Sequence, residues 1–144
     1  MKKYFITLFL MLSAGFLASA QDNNPLVSKC LTQTGADSKY LKDFRIQLGA
    51  AAVPGEPRYK AQMSLWKNTK YRFTMCNSDN SQGQLILTIK DIEDKLVLTS
   101  YDSKSGKTYP FVDFECNKSG IYQLNYDFVN RQKGSGVGIV SMIK

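Results

Sequence analysis

The chain is expected to fold as an all-β protein, an antiparallel β-sandwich of the jelly-roll or Greek-key kind with about eight strands. Three observations carry that expectation. Apolar and polar residues alternate with period two in segment after segment, the pattern of a half-buried strand. The segments are 5 to 8 residues long and separated by polar, Gly- and Asn-containing turns at sandwich-like intervals. No stretch sustains a 3.6-residue apolar period.

The clearest case is Phe111 to Phe128. In its second half Tyr122, Leu124, Tyr126 and Phe128 share one face, and Ile121, Gln123, Asn125 and Asp127 share the other. In its first half Val112, Phe114 and Cys116 oppose Asp113 and Glu115. One face is expected in the core and the polar one in water.

The other strands read in the same way. Tyr40 to Leu48 points Phe44, Ile46 and Leu48 inward, with Asp43, Arg45 and Gln47 outward. Gly49 to Pro57 holds two prolines and two glycines and is a loop. Arg58 to Trp66 aligns Tyr59, Ala61, Met63 and Leu65. Tyr71 to Cys76 aligns Tyr71, Phe73 and Met75, and Gln84 to Lys90 aligns Leu85, Leu87 and Ile89. Lys95 to Tyr101 answers across the Asp91–Asp94 turn, and Val137 to Ile143 closes the chain. Pro25 to Leu31 reads as a short edge strand or a turn of helix around Cys30.

The N-terminus is a separate unit. Lys2 and Lys3, then an apolar run of about 14 residues from Tyr4 to Leu17, then Ala18-Ser19-Ala20, form the pattern of a signal peptide cleaved before Gln21. The run is short of the ~20 residues that cross a bilayer. The expected organisation is a signal peptide over 1–20, a leader and loop over 21–39 and the sandwich over 40–144. The protein is expected to be exported, periplasmic or extracellular, with no transmembrane segment after cleavage. Loss of Lys2 and Lys3 takes the net charge from +7 to +5. The remaining basic residues are scattered, whereas nucleic-acid binding clusters them, so no nucleic-acid partner is expected.

Three cysteines, Cys30, Cys76 and Cys116, allow three pairings and leave one thiol over. Cys76 and Cys116 each end a strand, which suits a bridge between them, although their parity differs. Three buried thiols is the other reading.

The chemistry is narrowed by absence of histidine. Ser-His-Asp and Cys-His mechanisms are excluded, and the commonest metal ligand is missing. No cofactor or metal is expected. Asp91, Glu93 and Asp94 could offer oxygens to calcium, but three acids in a turn read more simply as solvated. Asn117-Lys118-Ser119 matches a glycosylation acceptor and reads as a plain turn. Asp113 and Glu115 lie on one strand face about 6.5–7 Å apart, a spacing compatible with two-carboxylate glycan hydrolysis. An exposed strand face gives the same spacing without any chemistry. Trp66, Tyr101 and Tyr109 sit near strand ends or loops and are the candidate ligand contacts.

Two segments resemble a known pattern. Leu65-Trp66-Lys67-Asn68-Thr69-Lys70-Tyr71-Arg72-Phe73 resembles the leucine, turn, tyrosine-x-phenylalanine step of bacterial pre-peptidase C-terminal domains, and Gly120-Ile121-Tyr122-Gln123-Leu124 resembles their closing glycine-x-tyrosine-x-leucine strand. The layout also resembles small secreted proteins of Bacteroidota-type bacteria, most of them uncharacterised. The resemblance spans roughly residues 44–143. It implies a jelly roll with an accessory or binding character. It departs at Asn68, where the family usually has Gly, and at Gly83-Gln84-Leu85-Ile86-Leu87, where an acidic step associated with calcium is missing, so no calcium site is carried over.

The function expected is therefore an exported, non-catalytic binding or accessory module for a protein or glycan partner of the cell envelope. The alternative is a small carboxylate-based glycan hydrolase using Asp113 and Glu115.

Overall fold

The computed structural model describes residues 24–144, so the signal-peptide segment lies outside the described residues. Its elements are α1 (Pro25–Leu31), β1 (Ser38–Leu48), β2 (Tyr59–Leu65), β3 (Thr69–Asn77), β4 (Leu85–Lys90), β5 (Leu96–Thr99), β6 (Tyr101–Asp102), β7 (Lys107–Thr108), β8 (Phe111–Cys116), β9 (Gly120–Phe128) and β10 (Gly134–Ile143). Sheet A has the order β1-β10-β3-β8 and sheet B the order β2-β9-β4-β5, and β6 and β7 form a small hairpin of their own. Every pairing is antiparallel.

The pairs nest: β1 with β10, β2 with β9, β3 with β8, and β4 with β5. A nested ribbon wound until β10 meets β3 and β9 meets β4 is a jelly roll. The fold is thus the all-β sandwich that the alternation predicts. The chain crosses between the sheets at two ends. One end, called here the turn end, gathers the β2–β3, β8–β9 and β4–β5 turns. The other gathers residues 49–58, 78–84 and 129–133.

The inward residues match the alternation. Phe44, Ile46, Leu65, Tyr71, Phe73, Met75, Leu85, Leu87, Ile89, Tyr122, Leu124, Tyr126 and Phe128 form one buried core. Its aromatic centre is Tyr126, whose ring meets those of Phe44 and Tyr59 at centroid distances of 5.7 and 6.1 Å. Gly138 makes room for it: a Cβ there would come within 2.4 Å of the Tyr126 hydroxyl.

The outward residues depart from expectation in three places. Thr74, Cys76, Val137 and Ile139, on the outer face of sheet A, are buried as well. α1 covers Cys76, Val137 and Ile139, with Leu26 and Val27 packed against them and Cys30. Pro25 opens the helix, and Asn24 caps it by accepting the Leu26 N–H at 2.9 Å. The segment expected to be a leader and loop is therefore partly a helix docked on the sheet, and β1 begins at Ser38.

The second departure concerns the disulfide. Cys30 is bonded to Cys76, and Cys116 is a buried free thiol. The Cys76–Cys116 bridge, one of the two readings of the cysteines, is corrected by register. Cys116 lies opposite Thr69 at one end of β3, and Cys76 lies seven residues along the same strand, roughly 23 Å away. Cys76 also faces outward, toward α1, whereas Cys116 faces the core.

The third departure is on β9. Asn125 and Asp127 were expected in water and are buried. Asp127 is covered because the Pro/Gly loop folds back over it and places Arg58 on its carboxylate.

The turn between β2 and β3 explains one sequence anomaly. Asn68 has a φ of 65°, the left-handed conformation that Gly or Asn adopts most readily. Its N–H donates to the Cys116 carbonyl at 2.8 Å, so Asn serves where glycine would.

Candidate functional site

The turn end carries an apolar concavity. Trp66 follows directly on Leu65, which is buried, so the chain turns over with its indole outside. The Trp66 N–H donates to the Tyr71 hydroxyl at 2.8 Å, and the Lys67 N–H to the Ser119 hydroxyl at 2.7 Å. Ser119 thus ties the β8–β9 turn to the β2–β3 turn, and the Asn117-Lys118-Ser119 sequence acts as the plain turn expected of it.

The β4–β5 turn forms the facing wall. Asp91 Oδ1 accepts the N–H groups of Glu93 and Lys95, both at 2.9 Å. Asp94 takes a φ of 63° and lies 3.4 Å from Lys90. Two of the three acids considered for calcium are therefore engaged within their own hairpin. Among the described residues no group of three or more His, Cys, Asp or Glu side chains is gathered for a metal.

Between these turns lies a cleft of about 230 Å³. Phe114 and Tyr122 line it, their rings edge to face at 5.6 Å, together with Val97, Ile92 and Ile121. A shallower depression of about 260 Å³ adjoins it across Gly120 and Ile121 and is bounded by Trp66. Trp66 is 67% exposed, Ile92 70% and Ile121 43%. Three large apolar side chains are thus held in water around two adjoining depressions.

Tyr122 is fixed beneath the cleft. Its hydroxyl donates to the Lys118 carbonyl at 2.6 Å, and the Cys116 thiol lies 3.8 Å from the same oxygen. Burial first, and then the hydrogen bond with Cys116, push its pKa up to about 12. It is a neutral, positioned phenol at any physiological pH.

The three sequence-predicted contacts do not come together. Trp66 is at the turn end. Tyr101 and Tyr109 flank the β6–β7 hairpin at the opposite end, where the Tyr109 N–H bonds the Ser100 carbonyl. Tyr101 is half-buried, and the Tyr109 ring lies 4.8 Å from the Lys107 ammonium. Ile92 and Ile121 were missed. The available signal was that Ile121 is an apolar residue on the polar parity of its strand, and Ile92 the one apolar residue among the acids of its turn.

The two carboxylates of the hydrolase alternative lie elsewhere, on the outer side of edge strand β8. Arg72, the cross-strand neighbour of Asp113, grips it through Nε at 2.7 Å and Nη2 at 2.9 Å. The same guanidinium donates to the Thr34 carbonyl and stacks 4.6 Å from the centre of the Phe111 ring. Arg72 holds the Asp113 carboxyl below its ordinary value. Glu115 lies opposite Lys70. Compared with models of known protein families and with curated protein sequences, the chain matches none.

Proposed function

We propose that the protein is exported and acts as a non-catalytic binding or accessory module of the envelope or secreted space, meeting a protein partner at the turn end. The observation that carries this reading is the apolar cleft floored by Phe114 and Tyr122 and edged by the exposed Ile92 and Ile121, with the exposed Trp66 bounding the depression beside it. A concavity of this size takes one apolar side chain, and a rigid indole beside it supplies contact area at little entropic cost. Export is supported by the signal-peptide pattern of residues 1–20 and by a disulfide of the kind that persists in oxidising compartments. The motif residues behind the resemblance to pre-peptidase C-terminal domains, Leu65, Tyr71, Phe73, Tyr122 and Leu124, are all buried. They speak for a shared way of building strands rather than for a shared ligand.

The hydrolase reading is the less favoured. A nucleophilic or basic carboxylate needs an oxygen free to meet substrate or water, and both Asp113 oxygens are instead held by the Arg72 guanidinium.

The test is capture from envelope extract on immobilised protein, comparing the natural chain with Trp66→Ala/Ile121→Ser. A species retained by the first and lost by the second, at unchanged thermal stability, supports the reading; identical profiles sink it. Release of reducing ends from polysaccharides, abolished by Asp113→Asn, would instead establish the hydrolase.

A further inference from the structure

The outer faces of the two sheets are not equivalent. α1 and the disulfide close sheet A, whereas sheet B keeps Lys60 and Gln62 exposed and Gln123 half-buried. Cross-strand partners point the same way. Register therefore sets two rungs across this face, Lys60–Asn125–Thr88–Thr99 and Gln62–Gln123–Lys90–Leu96. A trough of about 440 Å³ runs along β2 and β9, lined by Lys60, Ala61, Gln62, Gln123 and Asn125.

Asn125 is the telling residue. It sits on an inner strand of the sheet, is only 4% exposed, and its Oδ1 has no hydrogen-bond partner among the described residues. A buried amide left unsatisfied lowers stability, and native proteins rarely keep one without a reason. An apolar side chain at this position would remove that cost.

The chemistry of the trough narrows the ligand. Its one lysine, Lys60, is paired with Glu56 at 2.9 Å, and Lys90, further across the same sheet face, with Asp94 at 3.4 Å, so among the described residues the face offers no unpaired cluster of positive charge to a phosphate or a polyanion. No aromatic side chain lines the trough to anchor a peptide residue. What remains is three carboxamides, each offering a donor beside an acceptor, with the Thr88 hydroxyl on the same rung as Asn125. Neighbouring hydroxyls on a sugar ring present the complementary pair.

We propose that the outer face of β2 and β9 is a binding site for a neutral glycan, with Asn125 on the floor and Gln62 and Gln123 along the sides. The site shares no lining residue with the turn-end cleft and stands or falls separately from it.

The test is native affinity electrophoresis of the purified protein in gels containing a mixed-linkage β-glucan, a mannan or a dextran, with polygalacturonate and heparin as anionic comparators. At least one neutral polysaccharide is expected to retard the protein. Gln62→Ala/Gln123→Ala, which removes one exposed and one half-buried amide from the outer face and leaves the core untouched, is expected to weaken that retardation at least tenfold with the unfolding midpoint unchanged. Asn125→Leu is expected to abolish it while raising the midpoint. No retardation by any neutral polysaccharide, retardation by the anionic polymers alone, or retardation that the double variant leaves intact would overturn the proposal.

Discussion

Arg58 and Asp127, 69 positions apart in sequence, form an ion pair that closes the end of the sandwich opposite the turn end. Arg58 Nη2 lies 2.8 Å and Nε 3.0 Å from Asp127 Oδ1, and the Arg58 backbone N–H reaches Oδ2 at 3.2 Å. The guanidinium also donates to the Gly49 and Gln132 carbonyls. Arg131 approaches the same carboxylate at 3.5 Å. The Pro/Gly-rich loop and the β9–β10 connection are thus both fastened to one carboxylate whose side chain is only 7% exposed.

Removing one partner of a buried pair strands the other charge, which typically costs about 3–5 kcal/mol. Asp127→Ala is expected to lose stability in that range in urea unfolding. Arg58→Lys, which keeps the charge but not the fork, is expected to recover only part of it. A loss under 1 kcal/mol for Asp127→Ala would mean the pair is a surface contact.

The disulfide gives a covalent prediction. Alkylation of the unfolded, unreduced protein lacking residues 1–20 should add one label, at Cys116, and three after reduction. With its ends 46 positions apart, loss of the bridge in Cys30→Ser/Cys76→Ser is expected to cost about 4 kcal/mol by loop closure. It should also raise amide exchange in α1 and on the face it covers.

Asp113 gives an acid-side signature. Its folded pKa is depressed, so its contribution is complete above its ordinary value of 3.8 and is lost as pH falls through the lower folded value. Above that value Asp113→Asn is expected to be less stable than the natural chain by up to about 1 kcal/mol, since the pair is partly solvated. The two curves should converge as pH falls below 3.8. Parallel curves down to pH 2 would show that the Arg72 fork contributes nothing to acid stability.

Tyr122 gives the alkaline counterpart. Its folded pKa is raised from 10.0 to about 12. The folded state then holds a proton that the unfolded chain releases, and stability falls as pH rises from 10 toward 12. Tyr122→Phe is expected to flatten that fall. At neutral pH it should cost about 1 kcal/mol for the hydrogen bond lost to the Lys118 carbonyl.

Trp66 is the protein's one tryptophan and stands 67% exposed. Its emission should be that of a water-exposed indole and readily quenched by acrylamide. Occupation of the turn-end cleft should shift it to shorter wavelength and protect it. An emission already blue and protected in the free protein would mean the rim is covered.

Much of the fold was legible from period two alone. Tyr122, Leu124, Tyr126 and Phe128 are buried as their spacing requires, and so are Leu85, Leu87 and Ile89. A strand with one side in the core declares that side locally, residue by residue. The antiparallel sandwich follows from several such strands joined by polar turns.

The outward side of a strand was legible only where nothing covers it, as at Arg45, Gln47, Asp113 and Glu115, because burial there depends on chain that arrives from far away. α1 makes Cys76, Val137 and Ile139 interior, and the 49–58 loop does the same for Asp127. The Cys30–Cys76 pairing depends on where α1 docks, and no spacing rule encodes that. Tyr101 and Tyr109 were separated from Trp66 by topology, since the chain alternates between two ends of the sandwich. The amino-acid sequence by itself determined the strands, their inward faces and the absence of histidine chemistry. Only the tertiary structure decided which outward residues stay wet, which cysteines meet and which exposed side chains gather around a cleft, because those are contacts between segments that alternation cannot relate.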